Sequence, residues 1–466
     1  MPESINFKSV KVYFPRFRQY FTALTVSFGM FISGLVSGWT GNNTDTLLAG
    51  KYNDIPITFT DLGWITSLPI LAAMIVFFPV GILCDAIGRK PTLLFVSVCA
   101  IIGWILIIFS KTLTLLLIGR FVVGIGSGSF FLFVAIYNVE IAEKDIRAKL
   151  VSFGRVLLNS GILFSFIMSY ITTMQIFTII CAVTSALFFI ATLFQDETPT
   201  FKIKKNDYEG AKKILLRLRR ESHDVDGELD EIKKNLNQSN QQALKGALRK
   251  RSTKIASIVS YGINFFQYLG GASVILLYTN EIFSSAQGSL DPKHSTIILG
   301  AIQVVTALIA SSIIEYFHRR TLLVTSFIFT SVGLLILGSY FTLRDRHLAT
   351  TELLYTLGFM PLLGLTIFTL MSAIGITPIP MILAAELYPT EIKGVALSLF
   401  GVYTWLIVFL TSRFYGDLKV AVGSDVTFYI FAGMCFSGSV FSYAVVPETK
   451  NKSLQQIQDE INKNKL

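Results

Sequence analysis

Acidic and basic residues recur at matched spacings in two parts of the sequence, and their types allow electrostatic chemistry. In each part an acid precedes a basic pair by four residues, and a second acid further along precedes one base by seven. The residues are Asp85, Arg89-Lys90, Glu140 and Arg147 in the first part, and Glu315, Arg319-Arg320, Glu386 and Lys393 in the second. The order and the spacing match in both parts, so the pattern indicates two parallel repeats of one unit.

The sequence has no grouping typical of covalent catalysis or of a bound metal. No nucleophile pairs with a general base, and no phosphate-binding loop is present. The histidines fall in predicted loops and the cysteines in apolar segments without metal-ligand spacing: His223, His294, His318, His347, Cys84, Cys99, Cys181 and Cys435. We therefore expect no enzyme activity, no metal and no cofactor.

The elements that position these charges are membrane helices. Of the 466 residues, 52% are hydrophobic and only 15% are charged, whereas soluble chains are typically about 25% charged. The mean hydropathy is +0.60. Leu62–Leu83 and Pro91–Phe109 are apolar runs long enough to cross a hydrocarbon core, which takes roughly 20 helical residues.

Apolar runs separated by charges, Gly and Pro predict twelve spans. They are Tyr20–Trp39, Leu62–Cys84, Thr92–Ser110, Leu113–Tyr137, Leu150–Ile171, Met174–Phe194, Ile255–Phe283, Ser295–Ile314, Thr321–Leu343, Leu353–Leu383, Val395–Phe414 and Val426–Val446. The fold class is therefore an all-α membrane protein with twelve transmembrane helices. We expect a six-helix half at residues 1–196, a cytoplasmic helical linker at 197–254, and a second six-helix half with a cytoplasmic tail at 255–466. In the linker, Asp207 is a candidate N-cap.

Basic residues lie mostly on one side of the predicted membrane. Of 40 Lys and Arg residues, the loops opposite the termini receive only Lys51, Lys111, Arg120, Lys293, Arg344, Arg346, Arg413 and Lys419. The positive-inside rule then assigns both termini to the cytoplasm. The formal net charge of +10 is explained by orientation, so we expect no nucleic-acid partner. Asn42 becomes a glycosylation candidate in the first external loop.

Several motifs resemble the major facilitator superfamily and, within it, the sugar porter family. They are Gly81-x3-Asp85-x2-Gly88-Arg89-Lys90, Gly119-Arg120-Phe121-x2-Gly124, Glu140-x6-Arg147, Pro378-Ile379-Pro380, Glu386-x6-Lys393-Gly394 and Pro447-Glu448-Thr449-Lys450-x2-Ser453-Leu454. Shorter pieces, such as Gly38-Trp39-Thr40 and Asn159-Ser160-Gly161, are similar to the insect facilitated trehalose transporters. The resemblance implies two six-helix halves with substrate bound between them.

The resemblance implies roles for the charges. Glu140 with Arg89, and Glu386 with Arg319 or Arg320, are expected to form a cytoplasmic gate in a network with Asp85, Arg147, Glu315 and Lys393. The alternative is that these charges only cap helix ends and orient the protein. The resemblance implies a structural role for Arg120. Phe21–Trp39 lacks the acid that partners this Arg in proton-coupled relatives, which favours facilitated transport over proton symport.

The resemblance also implies a sugar site, because neutral amides and hydroxyls match ring hydroxyls and aromatic faces cover apolar edges. The corresponding positions are Arg155, Gln267, Ser273, Tyr278, Gln303, Thr404 and Trp405. Asn159 is a further candidate, because it lies four residues after Arg155 on the same helix face. Packing between helices is the alternative role for Gln267, Gln303, Tyr278 and Trp405. Pro378 and Pro380, and the Gly270-Gly271 pair, are expected to weaken or kink spans ten and seven.

Arg155 departs from the family pattern, in which many members have a sugar-contacting Gln. A cation at this position could bind an acidic substrate. It could instead reach a cytoplasmic carboxylate, because it lies about two turns into its helix and long Arg side chains extend readily toward water.

The resemblance implies a monomer in the plasma membrane. Together with the residue patterns it predicts a uniporter that interacts with the lipid bilayer and carries a small-molecule sugar by alternating access. The sugar is trehalose or a hexose such as glucose. The alternatives are a proton-coupled or acidic-solute transporter of the same fold, or a sugar sensor that does not transport.

Overall fold

The computed structural model describes a helical protein over residues 7–143, 145–219, 224–237, 251–286, 291–389, 392–450, 452 and 456. Eleven helical segments of this described part are long and apolar enough to cross a membrane. Large apolar side chains face outward on these segments, among them Phe78 (61% exposed), Leu187 (60%) and Phe436 (59%). Such exposure is costly in water but favourable in contact with lipid.

The helices follow most of the predicted spans, and many of their ends, though not all, lie beyond the predicted bounds. The first half comprises α1 (Phe7–Gly41), α2 (Thr44–Leu48), α3 (Phe59–Ile87), α4 (Arg89–Ile108), α5 (Leu113–Ile141), α6 (Arg147–Ile171) and α7 (Met174–Leu193). The linker contains α8 (Pro199–Lys204), α9 (Tyr208–Leu218) and α10 (Val225–Asn237). The second half comprises α11 (Arg251–Leu269), α12 (Ala272–Leu277), α13 (Thr279–Ala286), α14 (Pro292–Tyr316), α15 (Arg319–Asp345), α16 (Thr351–Thr356), α17 (Met360–Met371), α18 (Ile379–Leu387), α19 (Lys393–Val422) and α20 (Ser424–Val445).

The seventh span is broken where the glycine pair predicts it. Helix α11 ends at Leu269, and Gly271 adopts a left-handed backbone conformation with φ +87°. Glycine reaches this region without the steric cost that a side chain would add. The remainder of the span forms the short helices α12 and α13.

The tenth span is interrupted near its two prolines. A π-helical turn, Ser372–Ile376, follows α17, and α18 begins directly after Pro378. Proline has no N–H for the helix ladder, so Pro378 and Pro380 remove two donors in succession. The predicted kink is confirmed, and the extra turn places Ser372 and Thr377 beside the space between the halves.

Glycines let α1 and α6 pack closely in the first half. A Cβ placed on Gly34 would lie 2.9 Å from the Gly161 Cα. This separation is too short for any larger residue without a backbone shift, so α1 and α6 approach through their main chains. Asn159, two residues before Gly161, lies on the other side of α6 and faces the space between the halves.

The same carboxylate cap occurs in both halves. Glu197 accepts hydrogen bonds from the main-chain N–H groups of Arg89 and Lys90, each at 3.1 Å. Glu448 accepts those of Arg319 and Arg320, also at 3.1 Å. A carboxylate here satisfies donors that a helix start leaves free and also interacts favourably with the helix dipole.

The linker packs against the first half through polar contacts. Gln19 donates to the main-chain oxygen of Leu218, and Arg219 donates to that of Ile141, both at 2.7 Å. Asp207 caps α9 by accepting from the Gly210 N–H at 2.9 Å, so the predicted N-cap is confirmed. The hydrogen bond from Lys202, together with that N–H, lowers the pKa of the Asp207 carboxyl below its usual range.

The two halves contact each other at the end of the bundle opposite the termini, which we term the distal end. Asp45 on α2 accepts hydrogen bonds from Asn280 (3.0 Å) and Ser284 (2.9 Å) on α13. The Arg413 guanidinium of the second half lies over the Trp64 ring of the first, 4.7 Å from its centroid. At the opposite, terminal end, the side-chain hydrogen bonds and ion pairs of Arg89, Glu140, Arg319, Arg320 and Glu386 stay within one half.

Candidate functional site: a polar cavity between the halves

A cavity of about 210 Å³ lies between the halves near the middle of the bundle. Its walls come from α1, α3, α5 and α6 on one side, and from α11, α12, α14, α17, the π-helical turn and α19 on the other. Its polar lining consists of Ser33, Ser37, Thr66, Arg120, Ser127, Arg155, Asn159, Gln267, Tyr268, Ser273, Gln303, Thr369, Ser372 and Thr377. Among the described residues, the lining of the cavity includes two arginines and no carboxylate.

Two predicted amides meet in the cavity wall. The Asn159 Nδ2 donates to the main-chain oxygen of Gln303 at 3.2 Å, which joins α6 to α14 across the halves. The side-chain oxygen of Gln303 is buried and has no hydrogen-bond partner among the described residues. A buried acceptor without a donor is costly, so a bound hydroxyl or water would stabilise it.

Gln267, Ser273 and Trp405 also line the cavity, where they were expected. Gln267 is 5% exposed. The Ser273 hydroxyl shares a hydrogen bond of 2.8 Å with the Thr411 hydroxyl, so part of its capacity is used within the protein. Trp405 packs edge to face on Phe131 of the first half, with ring centroids 5.1 Å apart. The cavity thus has an aromatic wall that joins the halves.

Tyr278 and Thr404 lie outside the cavity lining, contrary to the prediction. The Tyr278 hydroxyl donates to the main-chain oxygen of Ser412 at 2.9 Å, and the side chain is only 1% exposed. The Thr404 hydroxyl donates to the Phe400 carbonyl at 2.8 Å and accepts from Asn264. Both side chains are used in contacts between helices, because their faces of the seventh and eleventh spans turn toward neighbouring helices of the second half.

Arg155 lies in the cavity and not at a cytoplasmic carboxylate. Its side chain is exposed, and no acidic oxygen of the described residues lies within 4 Å of it. Tyr268 on α11 is close enough to interact with it electrostatically. The prediction that Arg155 reaches a carboxylate is wrong for this structure, because the residue faces the space between the halves.

Hydroxyls of α1, α5 and the tenth span belong to the site but were not predicted. Ser33 and Ser37 are four residues apart and share one face of α1. The Ser33 hydroxyl hydrogen-bonds to the main-chain oxygens of Gly29 (3.1 Å) and Ser127 (2.9 Å). The spacing of Ser33 and Ser37 was the available signal, since residues at i and i+4 lie on one helical face.

Arg120 is buried and held by neutral groups. Its guanidinium donates to the Thr40 hydroxyl at 2.8 Å and to the main-chain oxygens of Ile65 (3.0 Å) and Val36 (3.3 Å). It lies over the Trp39 ring, 4.9 Å from the centroid. No carboxylate takes part in these contacts, which are the contacts of a structural cation.

The charge network of the first half is present at the terminal end. Arg89 donates to both oxygens of Glu140, at 2.8 and 3.1 Å, and its pair with Asp85 is 3.3 Å long. Asp85 also pairs with Lys204 of the linker at 3.0 Å. Arg147 donates to the Ala142 carbonyl at 3.5 Å. These pairs stay on the first half and its linker and do not cross to the second half.

The corresponding charges of the second half are bonded differently. Glu386 accepts from the Thr449 hydroxyl at 2.5 Å, and this structure has no bond from it to Arg319 or Arg320. The guanidinium groups of those arginines donate to main-chain oxygens of Ile314 and Tyr443. Lys393 begins α19, and the side chain of Glu315 lies outside the described part. The gate formed by these charges stays a prediction.

Asn42 is buried, which does not support its glycosylation. The side chain is 3% exposed, and its Nδ2 donates to the main-chain oxygen of Phe166 at 3.2 Å. Helix α1 extends two residues beyond the predicted Trp39 and α2 follows at once, so the expected loop is largely helical. The acceptor nitrogen is therefore not free in this conformation.

A family of membrane transporters matches the chain almost end to end. The sequence model described as "Sugar (and other) transporter" covers residues 15–461. The chain belongs to the sugar transporter family. Members of this family are transporters and not enzymes. The prediction of the sugar porter family is confirmed.

Individual proteins agree with this membership. The chain is 28% identical over 445 residues to the facilitated trehalose transporter of Culex quinquefasciatus, with 95% of this chain and 85% of that protein covered. It is 29% identical over 458 residues to the facilitated trehalose transporter of Apis mellifera ligustica, with 97% and 90% covered.

Solved structures show the same fold. The inward-open xylose transporter XylE from E. coli superposes with a TM-score of 0.79 at 19% identity, over 95% of this chain and 99% of that one. XylE bound to 6-bromo-6-deoxy-D-glucose is described as a proton:xylose symporter of the major facilitator superfamily and gives a TM-score of 0.75 at 19% identity, over 96% of this chain and 99% of that one. The predicted major facilitator fold is confirmed.

Proposed function

We propose that the protein is a facilitative carrier of a small sugar, trehalose or a hexose such as glucose. The observation that carries this proposal is the cavity itself, which lies between the halves and presents amides and hydroxyls, with the Gln303 side-chain oxygen left without a partner. Sugars bind through such neutral groups. The cavity volume is below the roughly 300–1,000 Å³ of drug-sized ligand pockets, which favours a monosaccharide in this conformation.

Transport would proceed by alternating access. The halves contact at the distal end through Asp45 and its partners on α13, while the polar contacts of Arg89, Glu140 and Glu386 at the terminal end stay within one half. Opening the distal end requires these contacts to break. The pair of Glu140 with Arg89 already joins α4 to α5 within the first half, so closing the terminal end in the opposite conformation would need new contacts between the halves.

The setting of Arg120 supports transport without proton coupling. The guanidinium is satisfied by Thr40 and two carbonyls, so it needs no carboxylate whose protonation could follow the cycle. In this proposal the protein is a monomer in the plasma membrane. Its termini are cytoplasmic, since the basic loops lie on the same side of the membrane as the termini.

Uptake of labelled trehalose and glucose into proteoliposomes tests the proposal. Saturable uptake of either sugar, equal with and without a pH gradient, is expected. Proton movement that accompanies the sugar would contradict uniport. Sugar binding without uptake or exchange would instead support a sensor.

A further inference from the structure

The positive charge in the cavity is unbalanced within the described part of the protein. Arg120 and Arg155 are the charged residues of the lining, and no acid lines the cavity. Arg120 donates to Thr40, Val36 and Ile65, so each of its guanidinium nitrogens has a partner. Arg155 has no such partner among the described residues, and its side chain is exposed to the cavity.

Charged residues at membrane depth generally face a cavity and contact a substrate or a counter-ion. Arg155 lies two turns into α6, between the terminal end and the middle of the cavity. Its planar fork is suited to two parallel hydrogen bonds with a carboxylate or phosphate. The missing partner can therefore be an anion that enters with the solute.

The neighbours of Arg155 fit a sugar that carries this anion. Asn159 lies one turn further along α6 and holds the wall next to Gln303, whose side-chain oxygen is free to accept from a hydroxyl. Gln267 and Tyr268 add an amide and a phenol from α11. A cation thus lies beside several neutral hydrogen-bonding groups, as a charged polyhydroxylated solute requires.

We propose that the carried solute is an anionic sugar, with a carboxylate or a phosphate bound by Arg155 and its hydroxyls bound by Gln303 and Gln267. This inference rests on the proposed sugar carrier and assigns it an anionic sugar, in place of neutral trehalose or glucose, as the preferred solute. Arg155 is then the residue that determines the preference for anionic over neutral sugars.

A comparison of the uptake of charged and of neutral sugars tests the inference. Uptake of labelled glucuronate, gluconate, glucose 6-phosphate, glucose and trehalose is measured in proteoliposomes with the wild type, Arg155→Gln, Arg155→Lys and Lys149→Gln. Lys149 is an exposed cation on the same helix outside the cavity lining, so it controls for loss of charge. Comparing the uptake of glucuronate and gluconate with that of glucose 6-phosphate shows whether the preferred anionic group is a carboxylate or a phosphate.

In the wild type we expect uptake of at least one anionic sugar to exceed that of glucose. Arg155→Gln should lower the ratio of anionic to neutral uptake at least about tenfold, because a hydrogen-bonded charge pair is lost. Arg155→Lys should restore part of the ratio, and Lys149→Gln should leave it unchanged. Size-exclusion chromatography of each purified variant checks that the protein is folded and not aggregated.

The outcomes separate this inference from the proposed function. Uptake of glucose or trehalose without uptake of any anionic sugar overturns the inference and leaves the sugar carrier intact. An anionic preference that is the same in Arg155→Gln removes Arg155 as its cause and also overturns the inference. Absence of uptake for all five solutes contradicts the proposed function as well.

Discussion

Glu197 and Glu448 occupy equivalent positions in the two halves, each accepting two main-chain N–H groups at the start of a membrane helix. Glu197 lies at the start of the linker and Glu448 in the tail that follows α20. Each half is therefore closed by a segment that follows its last helix. The repeat evident in the charges of the sequence extends to the main-chain contacts.

Glu448→Ala should destabilise the second half. Loss of the cap on α15 is expected to lower the free energy of unfolding by about 1 kcal/mol. The loss should be larger than for a neutral cap, because two N–H groups lose an ionised acceptor. The apparent melting temperature in detergent should fall. Glu352→Ala, at the exposed first turn of α16, is the control and should change it little. Equal melting temperatures of Glu448→Ala and Glu352→Ala would show that the cap does not stabilise α15.

Thr40→Val should destabilise the first half without changing the size of the side chain. The buried Arg120 guanidinium loses its hydroxyl acceptor, at a cost of about 1–3 kcal/mol. Thermal unfolding measures the loss, and Thr46→Val on α2 is the matched control. A melting temperature equal to that of the wild type would mean that Arg120 is held by its carbonyl contacts alone.

Asp45→Ala should favour opening of the distal end. The substitution removes two hydrogen bonds between α2 and α13, which should shift the conformational equilibrium about fivefold or more. Modification of Ser37→Cys in the cavity, in a chain without its native cysteines, by an impermeant thiol reagent from the distal side reports the opening. Asp61→Asn, which caps α3 within one half, is the control. Unchanged labelling in Asp45→Ala would contradict a latch at this position.

Gln303→Leu should separate binding from stability. The side-chain oxygen of Gln303 is buried and unpartnered, so its replacement by an apolar group should keep or raise the melting temperature. Loss of a sugar hydrogen bond should raise KM by about tenfold. A lower melting temperature together with an unchanged KM would assign Gln303 to packing between helices.

The membrane helices could be predicted closely because burial in lipid demands long apolar runs. Helix α5 begins at the predicted Leu113, and α6 ends at the predicted Ile171. The interruptions near Gly271 and Pro378 were predictable as well, since these residues act through local backbone geometry. Asn42 was misplaced because helix length beyond an apolar run depends on tertiary contacts.

The site was predicted less completely, because the direction of a side chain depends on how helices rotate against each other. Tyr278 and Thr404 face neighbouring helices, although their residue types suit a sugar. The hydroxyls of Ser33 and Ser37 gave little signal, since serine in membrane helices commonly bonds to its own main chain. Whether Arg155 has a partner depends on contacts between helices, which spacing along one helix does not reveal.

The contacts of Arg120 with Thr40 and two carbonyls, which involve no acid for proton coupling, also bear on the direction in which the solute moves across the membrane. A carrier without a coupled ion cannot concentrate a neutral solute, and for a charged one only the membrane voltage adds to the concentration difference. Net import then continues only while enzymes inside the cell consume the solute. When the cytoplasm holds the larger supply, the same protein should release the solute outward.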